Sequence, residues 1–398
     1  VLWTTVAVDL LGFGIVIPLL PLYAHHLGAG PASVGLLLGA FSAAQFLSAP
    51  LLGRLSDRIG RKPLLIVSLA GTAVASLLTG VAGSLWLLLV ARVLDGASGG
   101  SVAVAQASAT DLVGPEDRMR VFGLLGAAYG VGFVIGPALG GLAALGGARV
   151  PFFVAAGIAA LNAVVGVRRL PETRPRRARA EGVRPDAAPV PLRVILRRVA
   201  VPGTVTVALI AAFGAFEATF ALFAAHRLGF GLGAIGAVFA MVGVVAAVVQ
   251  GGVVRPLAAR LGEATCLRIG LASEALGLVL LPTAHHRVSL VVPLVLVTVG
   301  QSLSTPALSA LVVARVGAGA RGAALGAQQG LSSLARIIGP AAGGVSYALL
   351  GVAAPFVGGG MVLAVTLVFS LVMRNDLESS PGVLVEPVVN RLPLGNNG

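Results

Sequence analysis

The stretch AHHLGAG at residues 24–30 returns as AHRLGFG at 225–231. Two more pairs keep nearly the same spacing: Arg58-Ile59-Gly60 with Arg260-Leu261-Gly262, and IGPALGG at 135–141 with IGPAAGG at 338–344. The shift is 201 to 203 residues each time, about half of the 398-residue chain, so the sequence reads as one unit written twice. What the unit is follows from composition. Apolar residues make up 57% and charged residues 11%, whereas a soluble domain carries roughly a quarter charged residues. A bilayer crossing takes roughly 20 apolar residues and, with its loop, about 30, which allows about a dozen spans.

Cutting the chain at Gly, Pro and charge clusters places the spans near 2–25, 32–52, 64–83, 85–110, 120–145 and 150–168, then 201–226, 232–254, 265–284, 288–313, 322–349 and 353–374. The fold expected is an all-α membrane protein of two six-helix bundles, residues 1–168 and 201–374. Repeats in the same orientation are related by an axis along the membrane normal, with a substrate path between them. The Pro- and Arg-rich residues 169–200 and the tail 375–398 cannot bury a core and read as solvated. The first helix follows no basic leader and is expected to be a retained span.

The net charge of +13 would suggest nucleic acid in a soluble chain. Its distribution argues otherwise. With the N-terminus inside, 23 of the 28 Lys and Arg residues fall in inner segments, while Arg149, Arg227 and Arg287 are outer and Arg92 and Arg336 lie within spans. Basic inner loops set membrane orientation, so both termini are expected in the cytoplasm of a cell-membrane protein. Nucleic acid is no longer needed to explain the charge. Cys266 is the only cysteine, which leaves no intramolecular disulfide. Lys62 is the only lysine and stands in Gly60-Arg61-Lys62-Pro63, so the chain has no P-loop and an ion or substrate gradient must drive any transport unless a separate ATPase subunit does.

GRLSDRIGRK at 53–62 joins the second and third spans. Gly53 would permit close backbone approach, Asp57 could pair with a base or a helix N-terminus, and Arg58, Arg61 and Lys62 could hold the loop at the anionic inner surface. The set reads as a conformational latch. In the fifth span Gly132, Gly136 and Gly140 recur every four residues beside Pro137 and Gly141, leaving a bare face on a bent helix. The copy at Gly339-Pro340 has Ala335 in place of the leading glycine and is expected to matter less.

These two motifs, Gly-x-x-x-Asp-Arg-x-Gly-Arg-Lys and Gly-x-x-x-Gly-Pro-x-x-Gly-Gly, resemble the signature loop and the antiporter motif of the major facilitator superfamily, in its twelve-span drug/proton antiporter family. Asp9-Leu10-Leu11-Gly12 with Pro18 and Pro21 resembles the first helix of the tetracycline and multidrug branch. Arg92-Val93-Leu94-Asp95-Gly96 resembles its fourth-helix arginine motif, and Asp111 with Glu116-Asp117-Arg118 its next inner loop. Gly262-Glu263 and Glu274 stand where tetracycline exporters have a Gly-Glu pair and a membrane acid. The resemblance implies proton-coupled export by alternating access, with no cofactor. Ala75 and Ala246 replace an acid and a histidine of the tetracycline pumps, which argues against tetracycline itself.

Ionisable residues inside a membrane are costly and mark pathways. Glu274 and Glu217 lie well within spans with no base one turn away, and a desolvated carboxyl that can take up a proton suits a proton carrier. Asp9 near the inner end of the first span, Arg92 and Asp95 complete the proton-coupling candidates. Arg92 and Asp95, spaced i, i+3, could equally be a neutral structural pair. Phe13, Phe41, Tyr129, Phe133, Phe213 and Phe216 are candidates for an apolar substrate cavity. His25, His26, His226, His285 and His286 fall at outer helix ends, where duplication explains His25 and His226, and no metal is expected.

The favoured reading is therefore a secondary transporter, working as a monomer, that exchanges protons for lipophilic or amphipathic small molecules across the bilayer. An importer or facilitator of a polar metabolite such as a sugar shares the fold, but polar cavity candidates are few. An enzyme or receptor would need a catalytic cluster or an added domain, and the sequence offers no HExxH, no intramembrane Ser/His/Asp set and no folded insertion.

Overall fold

The computed structural model describes residues 2–99, 104, 105, 108, 128, 132, 134–170, 172, 192–316 and 321–373, and among them every regular element is a helix. In chain order these are α1 (Leu2–Val16), α2 (Leu20–His26), α3 (Pro31–Ile59), α4 (Arg61–Val81), α5 (Leu85–Ser98), α6 (Val134–Gly146) and α7 (Val150–Arg169). After α8 (Leu192–Arg198) follow α9 (Ala200–Leu228), α10 (Leu232–Leu261), α11 (Glu263–Leu280), α12 (Val291–Ala314), α13 (Arg321–Leu350) and α14 (Ala354–Val372). Among the described residues nine helices are long and apolar enough to cross a bilayer, and α1 with α2, bent by 41°, makes a tenth. α5 and α6 are the described parts of the two remaining expected spans. The tail and most of the linker lie outside the described residues.

Local sequence sets the helix ends. Proline occupies the first turn of α2, α3, α7 and α14, where its missing N–H costs nothing. Ser84 caps α5 by accepting from the Leu87 N–H at 3.3 Å. The break between α1 and α2 contains Pro18, Pro50, Pro306 and Pro340 lie inside α3, α12 and α13, and α10 carries a π-turn at Val249–Val253.

Two features differ from the sequence reading. Residues 53–59 are the last turns of α3, and Gly60 alone, at φ +112°, turns the chain into α4. Gly262, at φ +79°, makes the same one-residue turn between α10 and α11. Both backbones are in the region that favours glycine. The stretch 169–200 is also not uniformly solvated linker: α7 runs to Arg169, Leu170 is buried, and residues 192–198 form α8.

The exterior is apolar, with Trp86 72%, Leu47 67% and Val365 69% exposed, as a lipid-facing surface requires. Within the first half α4 packs on α7, α3 on α5 and α1 on α7; within the second, α11 packs on α12 and α14, and α9 on α13 and α14. α3 and α13 join the halves along an extensive contact.

Candidate functional site

The halves meet where α3 and α10 begin. A β-carbon on Gly141 would stand 3.0 Å from the Gly236 Cα, and one on Gly344 would stand 3.1 Å from the Gly35 Cα. Gly35 and Gly236 are repeat mates, as are Gly141 and Gly344, so the duplication builds one interhalf contact twice, α6 on α10 and α13 on α3. Gly39 lies against the Ile337 carbonyl, where a β-carbon would stand 3.2 Å away. At the other end of α13, no described atom lies within 4 Å of where a β-carbon on Gly326 or Gly330 would be.

The bare face of the fifth span packs within its own half. β-Carbons on Gly132 and Gly136 would stand 2.7 Å from the Leu10 carbonyl carbon and the Gly14 Cα, and one on Gly140 3.0 Å from the Ile15 carbonyl oxygen. The Pro137 carbonyl faces Gly236 of the other half. The repeat copy is no looser, contrary to the sequence expectation: a β-carbon on Gly343 would stand 2.7 Å from the Ala215 Cα, and Gly339 abuts Ala211 even more closely. Ala335, 0% exposed, stands where the leading glycine is missing.

Glu274 on α11 is 0% exposed, and among the described residues neither carboxyl oxygen has a hydrogen-bond partner. It faces Gly300 of α12, where a β-carbon would stand 2.6 Å from its own. Only glycine there leaves room for the acid between the helices. Charging it in place would cost several kcal/mol with nothing to offset the desolvation.

Arg92 and Asp95 on α5 form a buried ion pair, Nη1 to Oδ2 at 3.0 Å. Arg92 Nη2 also donates to Thr79 Oγ1 at 2.8 Å, and Thr79 donates to the Ala75 carbonyl. Asp9 on α1 is half-buried. So is Glu217 on α9, and the charge that acts on it is Arg336 of α13, a partner on another helix that spacing along one helix cannot reveal.

Among the cavity candidates, the Phe13 and Phe41 rings pair at 5.4 Å and Phe213 is half-buried. Phe216 must be withdrawn: it is 1% exposed and stacks on Phe220 and Phe356, so it belongs to the packed core of the second half. Tyr129 and Phe133 lie outside the described residues.

The latch residues divide. Among the described residues nothing lies within 4 Å of where a Gly53 β-carbon would be. Arg58 is exposed. Arg61, expected at the lipid surface, is instead only 8% exposed, with its guanidinium donating to Ser56 Oγ. The Asp57 side chain lies outside what is described. Sequence reading missed Glu172, just beyond α7. Its carboxylate accepts the backbone N–H groups of Arg61 at 3.0 Å and Lys62 at 3.3 Å, capping α4 from 110 residues away. The only signal was an acid directly after a span.

Helices paired by repeat around a shared path, with charges deep inside spans, define a membrane carrier of duplicated design. The chain belongs to the Major Facilitator Superfamily, whose family model matches residues 2–272 and 251–389. It is 33% identical to the tetracycline resistance protein, class C, of Escherichia coli, over 84% of this chain and 86% of that one. It is 29% identical to multidrug resistance protein 1 of Bacillus subtilis (strain 168), over 87% and 89% of the two chains. Among solved structures it is similar to the human organic anion transporter MFSD10 (TETRAN), with a TM-score of 0.68, 25% identity and coverage of 93% and 97%.

Proposed function

We propose that this protein is a proton-coupled exporter of lipophilic or amphipathic small molecules, in which the halves on either side of residues 169–200 rock against each other. Family membership supports transport, and the relatives named for tetracycline and multidrug resistance support efflux. The observation that carries the coupling is Glu274, a sealed carboxyl with no hydrogen-bond partner among the described residues. In this reading it holds a proton while buried and releases it when the helices around it part, with Glu217 or Asp9 as relay partners. Arg92, neutralised by Asp95, orders α5 against α4 beside the path.

The basic inner segments support cytoplasmic termini in the cell membrane, and the glycine contacts then close the outer end. A proton moving down the membrane potential gains roughly 2.3 kcal/mol per 100 mV, and a pH difference adds about 1.4 kcal/mol per unit, enough for about a hundredfold gradient of a neutral substrate. One carboxyl therefore suffices. The test is proton-flux recording in proteoliposomes during a screen of chemically diverse lipophilic compounds. Compound-dependent proton movement is expected; transport indifferent to the proton gradient would refute the coupling.

A further inference from the structure

Arg336 stands in the middle of the 30-residue α13, 15 residues from its start. At 1.5 Å per residue, roughly 22 Å separate it from that end, several times more than a side chain can reach by snorkelling. Its charge must be accommodated where it is. The other arginine deep within a span, Arg92, is neutralised by Asp95. Among the described residues the Arg336 side chain makes no hydrogen bond or ion pair, yet it is exposed.

The helix geometry shows what it is exposed to. Successive residues of an α-helix are 100° apart. Gly339 and Gly343 define the face of α13 on α9, and Pro340 and Gly344 the face on α3. Leu334, Ile338, Val345 and Leu349, all exposed, mark the lipid side. Arg336 falls between the α9 and α3 faces, away from the lipid side, so it is turned toward the boundary between the halves. Glu217 of α9 lies within its electrostatic reach without closing an ion pair. The half-buried Phe213 is one helical turn from Glu217 on the same side of α9.

We infer that Arg336 is a substrate-binding residue, whose guanidinium receives the carboxylate or sulfonate of an amphipathic organic anion while Phe213 packs on its apolar body. The inference rests on the transporter reading above and narrows its substrate class. A planar guanidinium offers a carboxylate two parallel hydrogen bonds, which an ammonium cannot match. Keeping a cation this deep in a span is costly, and anion recognition gives it a purpose. Glu217 is the resting counter-charge and competes with the substrate's anion.

Three naphthalenes of one shape test this: 2-naphthoate, 2-naphthylmethanol and 2-naphthylmethylamine, titrated into the full-length protein in nanodiscs. Naphthoate is expected to bind at least about tenfold more tightly than the amine. R336Q should lose about tenfold in naphthoate affinity and leave the alcohol unchanged, R336K should fall between R336Q and wild type, and E217Q should bind naphthoate more tightly. Failure of naphthoate to bind, equal affinity for all three probes, or unaltered naphthoate binding in R336Q and R336K would overturn the inference. Binding needs no proton gradient, so a failed coupling assay with intact charge selectivity would refute the exporter reading alone.

Discussion

Gly141 of α6 and Gly236 of α10 touch backbone to backbone across the boundary between the halves, and their repeat mates Gly344 and Gly35 do the same on the other side of the pseudo-symmetry axis. Two such contacts join the halves at the start of α3 and α10 without a side chain. In the rocking reading proposed above they separate during transport, and glycine pairs part without leaving an unfilled hydrophobic pocket.

Gly141→Val and Gly35→Val should each prop this end open. Overpacking a tight contact costs about 1–3 kcal/mol, so either variant should shift the balance of access states about five- to a hundredfold toward the outward-open form. Cysteine accessibility labelling near His25 and Arg227 measures it. Labelling at the wild-type rate would show that the contacts do not govern closure.

Gly136→Leu and Gly339→Leu should impair efflux to a similar degree, because both sites face backbone at less than van der Waals distance. Expression-matched efflux assays compare them. A much milder Gly339→Leu would restore the sequence-based ranking of the two motif copies.

Glu274→Gln should abolish uphill export while retaining substrate binding, since the amide fills the same space beside Gly300 but cannot titrate. Counterflow without a proton gradient should survive in the variant. Full proton-driven export would move the coupling role to Glu217 or Asp9.

Asp95→Asn would leave Arg92 buried and unpaired, a loss of about 3–5 kcal/mol. Thermal unfolding in detergent should show it as a lowered Tm, with much of the loss recovered in the double variant Arg92→Met/Asp95→Leu. If the double variant is as stable as wild type yet inactive, the pair serves transport rather than folding.

Glu172→Ala removes the acceptor of two N–H groups at the start of α4 and should cost about 0.5–2 kcal/mol, the range of a lost helix cap. Gly60→Ala should cost more, because it combines the strained φ of +112° with a β-carbon 2.5 Å from Glu172 Oε2. Comparing the two melting temperatures checks the order.

Several features were decided along the chain. The apolar runs specify helices because each span must satisfy its own backbone in lipid, and the repeat of AHHLGAG, Arg58-Ile59-Gly60 and IGPALGG points to a two-half plan because duplicated sequence folds alike. The Arg92 and Asp95 pair, three residues apart on one helix, was likewise legible, as was the absence of any base within one helical turn of Glu274. What the tertiary structure alone decided are the relations between helices. That Arg336 acts on Glu217, that Glu172 caps α4, that Phe216 is core rather than cavity, and that Gly339 is packed as tightly as Gly136 all depend on which faces of separate helices meet. A span's sequence states only how apolar each face is; because lipid and protein interior are equally apolar, hydrophobicity cannot tell a lipid-facing side from a packed one, and only backbone proximity set by neighbouring helices resolves it.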